Sequence, residues 1–409
     1  MTRLSRGLPA EWLVFSVIVV DLVGFGIVIP ILPFMSPMLG GDEVDVALVI
    51  AIYSLGAGIV GPFWGGLSDR IGRKRVLMIC LFGGGMSYVL LGAANQLWML
   101  YAARGFGGLM AGSLPVASAL MADVSKPERR AKAMGLVGTA FGLGLILGPV
   151  IGGLLAGPGD SFLLPGLFAA AMSLLSVLLA GVVLPNDKPR NTSAPLFRKE
   201  SGKEGLLVFL HQRRALLLVV QYALHTCAVS SAIYLSPLWL AALQGWGPQE
   251  IGVLFGLVGL AMILVQGASI DWLTRRFGLL NVLSAGACIF AVSLIATWVV
   301  SGELSRAFVI FTAFTGATCC LPVLNTIASS IVVSAERGRM MGATALAASI
   351  GRVVGPLATG VVLMTLGYPA SWLFVALPVI GLLLWSRRAA QRYSGPGGLE
   401  PAVLVSDGQ

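Results

Sequence analysis

MGLVGTAFGLGLILGPVIGG (134–153) aligns without a gap to MGATALAASIGRVVGPLATG (341–360). Met134, Gly135, Gly144, Gly148, Pro149 and Gly153 recur 207 positions later as Met341, Gly342, Gly351, Gly355, Pro356 and Gly360. The trio Leu114-Pro115-Val116 returns at the same offset as Leu321-Pro322-Val323. One offset shared by separate segments marks an internal repeat, not chance likeness between apolar stretches. The loop GGLSDRIGRKR (65–75) also has a degraded echo, GASIDWLTRRFG (267–278).

The repeating unit belongs in a membrane. The 409 residues are 57% hydrophobic and 11% charged, where a soluble domain carries roughly 25% charged residues. Mean hydropathy is +0.90. Apolar runs of about 20 residues recur along the chain, each long enough to cross a bilayer core. We read twelve spans, at about 12–34, 46–67, 76–94, 97–120, 133–157 and 162–184, then 215–241, 249–270, 279–301, 305–328, 340–366 and 369–386. Six spans followed by a related six in the same orientation form a parallel repeat, with a substrate site near the bilayer midplane between the halves. The expected fold class is an all-α polytopic membrane protein of twelve transmembrane helices in two parallel six-helix repeats. The halves are expected at 1–184 and 215–386, with a polar cytoplasmic linker at 185–214 and a cytoplasmic tail at 387–409. The opening MTRLSRG resembles a signal-peptide n-region, but the following apolar run is too long and lacks a cleavage site. It is read as span one, retained.

Basic residues set the orientation. Of the 27 Lys and Arg, all but Arg104, Arg306 and Arg352 fall in the termini, the linker and the loops that leave even-numbered spans. The opposite loops carry Asp42, Glu43, Asp45, Asp160, Glu250 and Glu303, with Arg306 their only basic residue. Both termini are therefore expected in the cytoplasm. Topology accounts for the net charge of +9, so no nucleic-acid partner is expected. All five cysteines lie within spans, and no spaced metal site or cofactor motif appears. No GxxxxGK[ST] loop supports ATP-driven transport. No enzyme activity is expected.

Within VIVVDLVGFGIVIP (17–30), Asp21 is the only acidic residue deep in any span. It lies about nine residues in, roughly 13 Å deep at 1.5 Å per residue. An ionised carboxylate there costs several kcal/mol unless paired, hydrated or protonated. Such a group can load and release a proton as its surroundings alternate; the alternative is a structural Asp paired permanently with Arg104. Arg104, in LYAARGFGGLMAG, cannot shed its charge and needs a partner. Arg352 sits mid-span in the second half, where the first half has Leu145. It is expected in the substrate cavity, reading an anionic group, or paired across the halves with Asp21. His225, in span seven, is placed with it as a residue able to titrate near neutral pH. Gly144, Gly148 and Gly152 recur every four residues and line one helix face for close backbone approach. Pro149 bends that helix.

These stretches carry a family resemblance. GGLSDRIGRKRVL (65–77) matches the major facilitator superfamily signature between spans two and three. DLVGFGIVIPILP (21–33), LWMLYAARGFGG (97–108) and FGLGLILGPVIGG (141–153) resemble the twelve-span drug/proton antiporters, in particular the tetracycline/proton antiporter branch. The resemblance implies proton coupling by Asp21 and Arg104. It implies an antiporter motif at Gly144, Gly148, Pro149, Gly152 and Gly153, associated with export. It implies a conformational gate at Gly65, Asp69, Arg70, Gly72 and Arg73, with Asp69 docking on the cytoplasmic start of span eleven when the cavity faces outward. The chain departs from the tetracycline branch in two places. That branch has acids in spans three and nine, where this chain has Ser87 and no acid at all, which argues against tetracycline itself as cargo.

The expected activity is therefore proton-coupled efflux antiport of a small, drug-like organic molecule by alternating access, performed by a monomer in the inner or plasma membrane. The alternatives are export of an endogenous anionic metabolite such as a siderophore, and proton-coupled uptake.

Overall fold

The computed structural model describes residues 9–126, 129–157, 161–184, 213–330 and 337–393. The linker expected at 185–214, apart from Arg213 and Arg214, falls outside them, as do Asp160 and the tail beyond residue 393. Among the described residues every regular element is helical. In hydrocarbon the backbone must satisfy its own polar groups, and a helix does so within one segment. Large apolar side chains point outward along these helices, including Phe82, Leu178 and Ile59, the last 65% exposed. Lipid, not water, is the solvent such a surface requires.

Among the described residues, eleven helices are long and apolar enough to cross a bilayer. Spans one to six are Ala10–Met38, Glu43–Ile71, Arg73–Gly92, Leu97–Val124, Ala133–Ala156 and Leu163–Val183. Spans seven to ten are Ala215–Gln244, Pro248–Gly267, Leu279–Ala296 and Glu303–Ser330. The last helix, Met340–Ala390, is 51 residues long, more than twice the roughly 20 residues that one crossing needs. Gly367 interrupts it with φ 76° and ψ −178°. That left-handed backbone suits glycine and divides the helix into spans eleven and twelve, which makes twelve crossings among the described residues.

The repeat survives in the turns. Gly72 (φ 103°) joins spans two and three, and Gly278 (φ 83°) joins the helix that continues span eight to span nine. The degraded echo of the loop has thus kept its glycine where the backbone needs one.

Two spans are interrupted within the membrane. Span one breaks after Val28 and resumes at Leu32, because Pro30 and Pro33 lack the N–H a continuous helix would use. Span four breaks at Met110–Gly112, separating Leu97–Leu109 from Ser113–Val124. Pro115 cannot bond the Ala111 carbonyl, and its ring crowds that carbonyl. The Leu109 carbonyl, at the end of the first half-helix, instead accepts the Trp64 indole N–H at 2.8 Å.

Contacts divide the chain into two compact units. One contains residues 1–199 with Gly245–Leu260, and the other contains residues 200–244 with 261–409. In the first unit, span one packs on spans five and six and on the second half of span four. In the second, span seven packs along the helix of spans eleven and twelve, and span nine packs on span ten.

Candidate functional site

The first unit is built around Asp21. Gly144, Gly148 and Gly152 of span five lie against Leu22, Gly26 and Ile27 of span one, with backbone meeting backbone. The glycine face therefore grips the helical turns that follow Asp21. Another face of span five carries Pro149 and Gly153, which meet Gly252 and Gln249 of span eight, while Gly256 and Gly259 pack on Val150, Ile146 and Leu145. Close small-residue packing of this kind is how membrane helices associate without a hydrophobic driving force between them. The glycines of span eight were legible as GVLFGLVGL (252–260), and the sequence reading passed over them.

The Asp21 carboxylate lines a small cavity with Val17, Ile18, Leu77, Leu81, Ser113, Leu114 and Ala117. It accepts a hydrogen bond from the Ser113 hydroxyl at 2.8 Å. The Ser173 hydroxyl of span six, fully buried, lies beside it. Sequence reasoning missed both serines. Only the position of Ser113, between Gly112 and Pro115, hinted at anything beyond packing.

Arg104 corrects an expectation. It is 6% exposed, and its guanidinium carbon lies 4.2 Å from the centre of the Tyr53 ring. It forms no ion pair with Asp21, and its Nε is buried without a hydrogen-bond partner. The negative face of an aromatic ring attracts a cation strongly once both are desolvated, so Tyr53 serves where the carboxylate was expected. Tyr88 of span three, buried, lies within electrostatic reach of both Asp21 and Arg104.

At the cytoplasmic end, Arg73 binds Asp69 at 2.6 Å and Asp123 at 3.1 Å, and it donates to the Ser68 hydroxyl at 2.6 Å. Its neighbour Lys74 donates to the carbonyls of Gly181 and Leu184 at 2.8 and 2.7 Å. A cation belongs at such a helix C-terminus. The loop thus ties together the ends of spans two, three, four and six. Asp69 is half exposed, and a side chain at Gly65 would meet open space. Arg70 is half-buried nearby.

In the second unit His225 is 3% exposed, with Nδ1 lacking a hydrogen-bond partner. Gln221, one turn earlier and also buried, has its side-chain oxygen in the same condition. Tyr222 hydrogen-bonds Asn325 of span ten. Arg352 is exposed and donates to Ser349 at 3.1 Å. Gly351 and Gly355, the repeat partners of Gly144 and Gly148, pack on span seven at Ala223–Cys227 and Cys227–Ser231. The seam that holds span one in the first unit thus holds span seven in the second.

A helical membrane bundle with, among the described residues, one carboxylate at membrane depth and a repeated glycine seam is the frame of a transporter. The sequence profile of the Major Facilitator Superfamily matches residues 14–273 and 218–406; the chain belongs to that superfamily. Among curated relatives, the class E tetracycline resistance protein of Escherichia coli is 30% identical, over 83% of this chain and 84% of its own length. The quinolone resistance protein NorA of Staphylococcus aureus (strain MSSA476) is 28% identical, over 85% and 88%. Among solved structures, a mutant of the nucleoside transporter NupG superposes with a TM-score of 0.80 at 12% identity, covering 93% of this chain and 99% of its own. That likeness bears on the fold alone.

Proposed function

We propose that the chain is a proton-coupled antiporter that expels a small, drug-like organic molecule by alternating access. One observation carries the reading: Asp21, the lone deep carboxylate, is held by a hydroxyl and not by a cation. It can gain a proton without stranding a buried positive partner, as a carrier must each cycle. A membrane potential supplies about 2.3 kcal/mol per elementary charge per 100 mV, enough for one proton to matter. The resistance proteins among the relatives point to drug-like cargo. Ser87 and an acid-free span nine argue against tetracycline itself. The protein works as a monomer in the inner or plasma membrane with both termini in the cytoplasm. Asp69, Arg70 and Arg73, with Gly65 and Gly72, form its cytoplasmic gate, and no catalysis is involved.

A second reading is favoured by the exposed guanidinium of Arg352. An arginine at membrane depth marks a water-filled path or an anionic ligand. Export of an anionic metabolite, such as a carboxylated siderophore, would use it.

The test is accumulation in everted vesicles under an imposed proton gradient, with a quinolone, tetracycline and a cationic dye as probes. The wild type should concentrate at least one probe, and Asp21→Asn should concentrate none while inserting normally. Full gradient-driven accumulation by Asp21→Asn would sink the proton-carrier role.

A further inference from the structure

We infer that the broken middle of span four, acting through Ser113, is the group that balances the charge of Asp21, in the place where Arg104 was expected. The inference rests on Asp21 being the proton carrier proposed above.

The break is a built feature. Its first half ends in a carbonyl bonded by Trp64. At Gly112 a side chain would run into the Trp64 ring and the Cys80 sulfur, so the break packs closely on spans two and three. The second half begins at Ser113, and its hydroxyl donates to the carboxylate. The first N–H groups of a helix lack intrahelical partners, and that end carries partial positive charge. Half-helix N-termini facing anions at membrane depth are a recurring transporter device. Here the anion is one of the protein's own side chains.

The other groups near Asp21 leave Ser113 this role. Span three contributes Cys80 and Tyr88, and span six contributes the Ser173 hydroxyl. Arg104, from the first half of span four, is engaged with Tyr53. Spans five and six carry no titratable side chain from Met134 to Val183 except Asp160 in the loop between them. Span one adds only Glu11, near its start.

The consequence is a direct link from proton to helix. An ionised Asp21 accepts from Ser113 and holds the second half of span four against span one. A protonated Asp21 is a weaker acceptor and releases it. Ser113 is a positioning residue; the proton moves on and off Asp21.

The test reads the protonation of Asp21 without needing a cargo. Protein purified in an ester-free detergent is titrated by infrared spectroscopy, and the protonated carboxyl band of Asp21 is assigned by its loss in Asp21→Asn. Removing a donor that favours the ionised form moves the titration upward. For Ser113→Ala the midpoint should rise by about one to two pH units, the worth of one hydrogen bond to a charged group. Ser113→Thr keeps the hydroxyl and should stay near the wild type, and Ser113→Cys, a weaker donor, should fall between. A midpoint unmoved in Ser113→Ala, or moved equally in Ser113→Thr, overturns the inference. If Asp21→Asn still drives export in vesicles, the carrier reading fails instead, and the titration still decides whether Ser113 balances the carboxylate.

Discussion

Gly148 of span five rests on Gly26 of span one, with a backbone on each side of the contact and no side chain between them. Asp21 lies five residues before Gly26, so the placement of the carboxylate depends on this approach. The packing at Gly144 against Leu22 and at Gly152 against Ile27 extends it along both helices.

Adding a methyl group at Gly148 should therefore be costly. It would meet the Gly26 backbone, which cannot step aside as a flexible side chain would. Overpacking of this kind costs about 1–3 kcal/mol. Gly148→Ala should lower the thermal unfolding temperature of the purified protein, whereas Gly138→Ala, where a methyl group meets open space, should leave it unchanged or slightly raised. Equal melting of the two variants would show that the seam is not a close contact.

The aromatic partner of Arg104 makes a second prediction. Tyr53→Phe keeps the ring face and should preserve stability. Tyr53→Ala uncovers a buried guanidinium and should cost about 2 kcal/mol or more, the worth of a desolvated cation–π contact. Thermal unfolding of both variants checks this; comparable losses would assign the effect to the tyrosine hydroxyl.

Arg352 can be tested by the charge of the cargo. If it reads an anion, Arg352→Ala should weaken a carboxylated ligand about tenfold or more, through loss of one charge-assisted hydrogen bond. A matched neutral ligand should bind as before. Competition binding with the two ligands gives the answer, and an equal loss for both would remove the anion-reading role.

Much of this was legible beforehand because membrane helices are specified locally. Length, apolarity and the 207-residue offset define the crossings, and even the division at Gly367 falls between the spans read at 340–366 and 369–386. The glycine spacing of span five announced a close contact, though not which helix it would meet. Trp64, Tyr53, Ser113 and Ser173 carried no signal of comparable strength. Each is an ordinary residue in a span, and its importance arises from a neighbour distant along the chain.

That this chain crosses a membrane in two related halves, with a single carboxylate left at membrane depth, could be read from its residues alone. Both follow from composition and period, which need no knowledge of what touches what. How the two charges at membrane depth are met emerges from the packing: Arg104 by the face of Tyr53, and Asp21 by the hydroxyl at the break in span four. Opposite charges in the same apolar bundle invite pairing on paper. Whether they pair depends on the rotation of each helix about its own axis, and packing at glycine seams and broken turns sets that rotation.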